Sequence, residues 1–302
     1  MRGHRMNAIE ITELTKTYGK VRGITGLTLN VEEGECFGFI GPNGAGKSTT
    51  IRTMLGYIRP DGGSAFVLGK DIRTASEKIR AVTGYLPSEA IFYRGMKVRD
   101  ILKLSADLRG TDCRAEAKRL CERLELDTSR RADELSFGNR KKVAIVCALQ
   151  HKPNLLILDE PTSGLDPLMQ REFFSIIRER NRSGVTVFLS SHILSEIEHN
   201  CTRAAIIREG SILSCDKVKA LSDKSAKRIT LRYDDASDML HTLSDAEGVR
   251  DYAVSENGIQ QFLYSGSMDA LVKMLSGTRI ADLTIEEPDL EEIFLHFYEE
   301  AS

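Results

Sequence analysis

Long apolar runs are missing from this sequence. Nowhere do about 18 consecutive apolar residues occur, the length that a helix needs to cross the hydrocarbon core of a bilayer. Two arginines near the start are not followed by an apolar stretch, so we expect no signal peptide. If the chain works in transport, another polypeptide must therefore supply the path through the membrane.

A charge excess of either sign is also missing. The sequence has 42 Lys and Arg against 44 Asp and Glu, which gives a formal net charge of −2. A dedicated nucleic-acid binder is normally clearly basic, so we expect no nucleic acid as a partner. The six cysteines form no C-x-x-C pair, and this scatter predicts reduced, mostly buried thiols.

The 302 residues, 41% of them hydrophobic, are sufficient for two domains, each with a buried core. Apolar and polar residues alternate over 8–14 and 24–31, which predicts strands of an antiparallel sheet. Short apolar runs separated by helical segments predict a mostly parallel core sheet. These runs are 36–40, 155–158, 185–190 and 204–207, and helical periodicity extends from Val98 to Leu149.

A different pattern follows the polar stretch Ala220 to Ala226, which predicts a linker. Strands and helices are then predicted in the order βαββαβ, the split-βαβ arrangement of ferredoxin-like domains. The predicted strands are 228–233, 249–254, 260–264 and 280–285, and the predicted helices are 236–243, 268–275 and a final one at 289–298.

A glycine-rich loop lies between the strand at 36–40 and a helix that begins at Lys47. It matches G-x-x-x-x-G-K-[ST], in which backbone N–H groups and the helix dipole converge on phosphate oxygens. We expect Lys47 to reach the β- and γ-phosphates of a nucleotide and the Ser48 hydroxyl to bind Mg²⁺. The predicted nucleotide-binding residues of this loop are Gly41, Pro42, Asn43, Gly44, Ala45, Gly46, Lys47, Ser48 and Thr49.

Two carboxylates end the apolar run at 155–158. Asp159 is placed to hold the metal, and Glu160, one residue on, is placed to orient and polarise an attacking water. Many strands end in acidic residues for structural reasons alone. The combination with a phosphate loop is what favours catalysis.

The segment Leu135 to Asn139 (LSFGN) precedes a helix, and Ser136 is a natural N-cap for that helix. A capped helix is one interpretation. The other is that this helix N-terminus meets the γ-phosphate of a nucleotide held by a neighbouring subunit.

Taken together, these motifs resemble the ATPase subunits of ABC (ATP-binding cassette) transporters, over most of the range from Ile9 to Leu221. Residues 41–48 are similar to the Walker A motif, 155–160 to Walker B and 135–139 to the LSGGQ signature. Residues 163–166 resemble the D-loop and His192 resembles the switch histidine. The ending 288–294 resembles the tail of ATPases from drug-, peptide- and antibiotic-exporting branches.

The resemblance implies roles for single residues. Glu160 and His192 would be catalytic, Ser48 and Asp159 would hold Mg²⁺, and Tyr18 would stack on the adenine of ATP. Three residues would act in trans across a dimer: Ser136, Gly138 and Asp166.

It also implies an architecture and partners. The fold would be an α/β P-loop ABC ATPase domain at 8–222, with an antiparallel β subdomain and a helical subdomain at about 90–150, followed by a small α+β ferredoxin-like domain at 227–302. ATP would be held between this chain and a second copy or a paralogue. A transmembrane permease, as a separate polypeptide, would hold the pair at the cytoplasmic face of the membrane as a peripheral subunit.

Three positions depart from the family pattern. Phe137 replaces a glycine and Asn139 replaces a glutamine in the signature. In the loop Gly84 to Glu89, Ser88 stands where the family usually has a glutamine that touches Mg²⁺ and the membrane subunit. Because serine is shorter than glutamine, we expect its hydroxyl to reach the metal only through water.

Two other classes of function compete with a transport ATPase. Soluble ABC ATPases that act on DNA carry a long coiled coil between the Walker motifs, whereas about 110 residues without heptads lie between them here. Those that act on ribosomes usually carry two cassettes, and this sequence has one phosphate loop. A GTPase or small-molecule kinase is disfavoured because no N-K-x-D motif occurs and the signature would have no role.

Overall fold

The structure, a computed structural model, describes residues 6–19, 21–223, 227–233, 243–255 and 257–286. Its contacts divide the chain into two compact units, Met1–Val218 and Lys219–Ser302. In the described part of the chain, no helix is both long enough and apolar enough to cross a bilayer.

The first unit contains ten strands and seven helices among its described residues, and helix α8 begins at its end. The strands are β1 Asn7–Tyr18, β2 Val21–Glu32, β3 Cys36–Ile40, β4 Gly62–Val67, β5 Lys70–Asp71, β6 Thr83–Leu86, β7 Leu155–Asp159, β8 Thr186–Ser191, β9 Arg203–Arg208 and β10 Ser211–Lys217. The helices are α1 Lys47–Met54, α2 Ser76–Val82, α3 Val98–Asp107, α4 Arg114–Arg123, α5 Phe137–Leu149, α6 Pro167–Arg182, α7 Leu194–Asn200 and α8 Val218–Asp223.

Two sheets form this unit. Strands β2-β1-β4-β5 make an antiparallel sheet, as the alternating pattern predicts. Strands β10-β9-β3-β8-β7-β6 make the core sheet, which is parallel except for the β9–β10 pair. All residues of β3, β7 and β8 are buried, which explains why these strands are continuous apolar runs rather than alternating ones.

The register of the core sheet brings its functional loops to one edge. Strand β8 pairs with β3 on one side, with Ile40 opposite Ser191, and with β7 on the other, with Asp159 opposite Ser190. Strand β6 lies next to β7. The segments that follow β3, β6, β7 and β8 therefore leave the same carboxyl edge of the sheet, where ligands bind in open α/β folds.

Some local predictions were wrong or incomplete. Helix α1 begins at Lys47, as predicted, and ends at Met54, before Gly56, whose φ of 68° lies outside the helical region. The predicted linker overlaps α8 as far as Asp223. Strand β6 was not predicted, since its sequence TGYL has no apolar run.

The second unit is a small antiparallel sheet with a helix. It contains β11 Lys227–Tyr233, β12 Val249–Val254, β13 Gln260–Tyr264, α9 Met268–Leu275 and β14 Ile280–Glu286, with strand order β12-β13-β11-β14. This order is that of the predicted split-βαβ arrangement. Its core includes Ile229, Phe262 and Leu271. The predicted helix at 236–243, apart from Leu243, and the final helix at 289–298 lie outside the described residues.

Candidate nucleotide-binding site

The loop after β3 folds around the side chain of Lys47. Gly46, which precedes α1, has a φ of 107°, and a Cβ there would lie 2.8 Å from the Gly23 carbonyl oxygen, so glycine is required. The buried ammonium of Lys47 donates to the carbonyl oxygens of Gly41, at 2.5 Å, and Pro42, at 3.2 Å. The lysine thus closes the loop that the sequence predicts to hold phosphates.

A cavity of about 220 Å³ lies over this loop. Seven of the nine predicted loop residues line it, whereas Gly41 and Ala45 do not. The lining residues are Gly23, Pro42, Asn43, Gly44, Gly46, Lys47, Ser48, Thr49, Ser88 and Glu160. The cavity therefore combines helix N-terminal backbone, one lysine and one catalytic candidate, the composition expected around a triphosphate.

Ser48 and Asp159 meet at one side of the cavity. The Ser48 hydroxyl donates to Asp159 Oδ2 at 2.8 Å, and Asp159 is completely buried. Burial raises the pKa of Asp159, partly offset by the hydrogen bond from Ser48. Its second oxygen, Oδ1, has no hydrogen-bond partner among the described residues.

This pair fits a magnesium ion. Octahedral Mg²⁺ binds oxygen at about 2.1 Å, so two neighbouring ligands lie about 2.9 Å apart, close to the Ser48–Asp159 separation. An oxygen-only donor set of one hydroxyl and one carboxylate, completed by phosphate and water, is the usual magnesium arrangement in nucleotide sites.

The Glu160 carboxylate lies between the side chains of Lys47 and His192. Its Oε1 is 3.1 Å from Lys47 Nζ, and its Oε2 is 2.6 Å from His192 Nδ1. A carboxylate oxygen accepts hydrogen bonds, so this contact suits the His192 tautomer that carries its proton on Nδ1. The structure thus brings Lys47, Glu160 and His192 together, although they are far apart in the sequence.

The signature residues lie at helix N-termini. Ser136 caps α5, and its hydroxyl accepts a hydrogen bond from the Asn139 N–H at 3.2 Å. Asp166 caps α6 through bonds from the N–H groups of Leu168, at 3.1 Å, and Met169, at 3.0 Å. No hydrogen bond or ion pair among the described residues joins Ser136, Gly138 or Asp166 to the phosphate loop.

The signature and the D-loop pack against each other within the chain. Gly164 has a φ of 79°, and a Cβ there would lie 2.1 Å from Phe137 Cδ1. A Cβ on Gly138 would lie 2.4 Å from the Gly164 carbonyl oxygen. The Phe137 ring therefore lies directly on Gly164, while 42% of the residue remains exposed.

Tyr18 stands at the end of β1 and is 43% exposed. Its ring lies beside Gly23, since a Cβ on Gly23 would be 3.1 Å from Tyr18 Cε2. Gly23 lines the cavity over the phosphate loop. The tyrosine is thus one residue removed from the cavity wall, a position suited to stacking on a base at its rim.

Sequence reasoning missed two buried charged residues. Lys141, on α5, donates to the carbonyl oxygens of Pro87, Ser88 and Glu160. Glu196, on α7, accepts from the hydroxyls of Thr162 and Ser191. The signal for Lys141 was its spacing from Ile145, which puts a lysine on the apolar face of a helix.

This fold and this cavity define a P-loop nucleotide-triphosphate-binding protein with the ABC arrangement of motifs. The family model described as "ABC transporter" matches residues 24–163. A protein named bacitracin transport ATP-binding protein BcrA, from Bacillus licheniformis, is 33% identical over 296 residues, covering 95% of this chain and 96% of the relative. Linearmycin resistance ATP-binding protein LnrL, from Bacillus subtilis (strain 168), is 30% identical over 95% of this chain and 97% of its own length.

Comparison with solved structures points to the same family. A structure titled as the ATP-binding subunit of an ABC transporter superposes with a TM-score of 0.66 at 30% identity, covering 71% of this chain and 91% of that one. The chain belongs to the ATP-binding proteins of ABC transporters. The predicted family and fold class are confirmed, and with them the predicted class of function, an ABC transporter ATPase.

Proposed function

We propose that this chain binds Mg²⁺-ATP over the phosphate loop and hydrolyses it as one half of a dimer that powers a separate transmembrane permease. The observation that supports this most directly is that Lys47, Ser48 and Glu160 line one cavity at the carboxyl edge of the core sheet. Asp159 is hydrogen-bonded to Ser48 and His192 to Glu160 at this cavity. These side chains come from the segments that follow β3, β7 and β8.

Within the chain, each group has a distinct task. The γ-phosphate competes with Glu160 for the Lys47 ammonium, which frees the Glu160 carboxylate to accept a hydrogen bond from the attacking water. His192 holds Glu160 through Nδ1 and directs Nε2 towards the γ-phosphate. Ser48 and Asp159 would hold Mg²⁺, which when bound draws negative charge from the β- and γ-phosphates.

A second subunit would complete the site. Ser136 and Gly138 lie at the N-terminus of α5, a 13-residue helix whose dipole favours an anion. No hydrogen bond or ion pair among the residues that the structure describes directs them to the phosphate loop. We therefore assign them, with Asp166, to the nucleotide held by the opposite subunit, which is a second copy or a paralogue.

The organisation and location that we propose follow the sequence expectations. The ATPase domain is 8–222, with its helical subdomain at about 90–150, and an accessory domain occupies 227–302, consistent with the division of contacts after Val218. We place the dimer at the cytoplasmic face of the membrane, against the permease. The names of the two relatives, which concern bacitracin transport and linearmycin resistance, favour export of a drug, peptide or antibiotic.

Hydrolysis of Mg²⁺-ATP by the purified chain tests the proposal, with Lys47→Ala as the deficient variant. We expect Lys47→Ala to lose nucleotide binding itself, because the ammonium that pairs with the phosphates is gone. Lys118→Ala, at an exposed lysine on α4, is the matched control and should bind as the wild type does. Equal binding of a labelled ATP analogue by Lys47→Ala and the wild type would refute the assignment of this cavity.

Purification from membranes tests the transport role separately. We expect a membrane protein to co-purify with the chain in detergent, and addition of the transported compound to raise the rate of hydrolysis. Recovery of the active chain with nucleic acid or ribosomes instead would point to a soluble ABC ATPase.

A further inference from the structure

The ammonium of Lys141 is enclosed by three backbone carbonyl oxygens. Lys141 is 1% exposed, and its Nζ lies 3.0 Å from the Pro87 oxygen, 2.9 Å from the Ser88 oxygen and 2.7 Å from the Glu160 oxygen. An ammonium has three N–H donors, so this set satisfies all of them. One side chain therefore joins α5, the loop after β6 and the residue after β7.

Burying the Lys141 ammonium costs free energy, and packing alone does not require a charge at this position. The three partners are neutral carbonyls, and desolvation lowers the pKa of Lys141 to about 8, with nearby Asp159, Glu160 and Glu196 acting in the opposite direction. A buried charge is weak evidence for stability, since an apolar side chain of similar size often stabilises as well or better.

The backbone of Glu160 is the part of the cluster most dependent on support. Its φ is 47°, a left-handed conformation that is unfavourable for a residue with a side chain. Its carbonyl accepts from Lys141 and from the Ser163 hydroxyl at 2.9 Å, and its N–H donates to the Ser190 oxygen at 3.0 Å. Because the carboxylate is carried by this backbone, a rotation there would move it away from Lys47 and His192.

The loop that contains Ser88 is exposed to solvent in its following residues. Ser88 lines the cavity over the phosphate loop, while the nearby Ile91 and Tyr93 are 84% and 75% exposed. A displacement of the loop would act on Pro87 and Ser88, and through the Lys141 ammonium it would reach the Glu160 carbonyl.

We propose that Lys141 is a positioning residue that ties the loop at Ser88 to the backbone of Glu160, and thereby sets where the Glu160 carboxylate stands during ATP hydrolysis. The proposal rests on the proposed function of the cavity. Lys141 touches neither substrate nor reacting atoms. It acts through Glu160, so its loss affects the chemical step more than nucleotide binding.

The test uses the full chain with Lys141→Met, which keeps an unbranched side chain only one atom shorter than lysine and removes the three donors. We expect kcat for Mg²⁺-ATP to fall by about 10- to 100-fold, the cost of misplacing a catalytic group, while KM changes less than about threefold. Lys142→Met is the matched control. Lys142 is the next residue of the same helix, is also buried, and makes no hydrogen bond or ion pair within the described part of the chain. It should keep the wild-type kcat.

Hydrogen exchange measures the link without reference to activity. In Lys141→Met, the amides of 88–90 and those of Glu160, Thr162 and Ser163 should exchange faster than in the wild type, while those of β3 should not. If Lys141→Met does not fold, Lys141→Gln replaces it, since the shorter amide cannot reach all three carbonyls. It should lower kcat about tenfold at unchanged KM.

The possible outcomes are distinct. An unchanged kcat in the folded variant would overturn the proposal, as would a loss that appears only as lower melting temperature and a smaller active fraction. If the wild type neither binds nor hydrolyses ATP, the proposed function fails, and hydrogen exchange alone then decides the link. Unchanged exchange at 88–90 and at Glu160, Thr162 and Ser163 overturns it, and faster exchange supports it.

Discussion

The phosphate side and the signature side of this ATPase are built in opposite ways. On the phosphate side, Lys47, Glu160 and His192 contact one another directly, at 3.1 and 2.6 Å. On the signature side, the hydrogen bonds of the Ser136 and Asp166 side chains within the described part of the chain go to the backbone of their own helices. The phosphate side is thus a cluster of side chains that contact one another within the chain. The signature side is a surface that carries the polar groups of two helix N-termini.

This difference has a physical origin. Adjacent parallel strands end at the same edge of a sheet, so residues after β3, β7 and β8 must meet. The first turn of a helix, in contrast, offers N–H groups that can bind an anion from any source, including a nucleotide held by another chain. This difference supports our proposal that one chain supplies the chemistry and a neighbour supplies the closing face.

The largest effect should follow from Glu160→Gln, which alters only the phosphate side. We expect hydrolysis to slow by about 10²-fold or more, because an amide cannot accept a proton from water. ATP binding should persist, since Lys47 and Ser48 remain, and the variant should accumulate as an ATP-bound dimer detectable by size-exclusion chromatography. Wild-type turnover by Glu160→Gln would remove this residue from the catalytic step.

Mixing two inactive variants would show whether the two sides come from different chains. Lys47→Ala disables the phosphate side, and Ser136→Glu disables the signature side by placing a carboxylate beside the γ-phosphate. A mixed dimer has one fully intact site, so an equal mixture should recover about a quarter of the wild-type hydrolysis rate if dimers form at random. Each variant alone, measured at the same total concentration, is the control. No recovery in the mixture would mean that both sides act on a nucleotide within one chain.

The sequence predicted the phosphate side better than its surroundings. The loop at 41–49 was identified from its G-x-x-x-x-G-K-[ST] pattern, and the carboxylates at 159 and 160 from the apolar run that they end. Lys141 and Glu196 were missed because each has a partner distant in sequence, the Glu160 carbonyl for Lys141 and the Thr162 hydroxyl for Glu196, which only the folded chain brings within reach. Strand β6 was missed for a related reason: its apolar content is low, and β7 beside it and α5 packed against it define its place.

A third experiment addresses the contact between the signature and the D-loop. In Phe137→Ala, the ring that covers Gly164 is removed. We expect the rate of hydrolysis to fall by about three- to tenfold through a weaker dimer, with ATP binding by the monomer unchanged. The effect is small because truncation of most interface residues costs about 1 kcal/mol or less, and Phe137 is packed on one side only. Leu168→Ala, at an exposed apolar residue at the start of α6, is the control for loss of surface hydrophobicity. A changed affinity of the monomer for ATP would instead indicate that Phe137 acts on the nucleotide bound by its own chain.

The smallest effect should come from Ser88→Ala, although Ser88 occupies the place of the glutamine that touches Mg²⁺ in the family. The structure shows the loop contributing its backbone, since the Ser88 carbonyl accepts from Lys141 at 2.9 Å. The Ser88→Ala variant keeps this backbone carbonyl. The serine side chain is so short that we expect its hydroxyl to reach the metal only through water. We therefore expect Mg²⁺-dependent hydrolysis by the isolated chain to change by less than about threefold, with the same dependence on Mg²⁺ concentration.

Ser48→Ala, at the hydroxyl bonded to Asp159, is the contrasting variant and should require much more Mg²⁺. Changes at the exposed neighbour Glu89 should leave basal hydrolysis intact and weaken its stimulation by the membrane partner. Should Ser88→Ala abolish Mg²⁺-dependent hydrolysis, the serine is a direct ligand, and the loop after β6 belongs to the phosphate side by its side chain as well as its backbone.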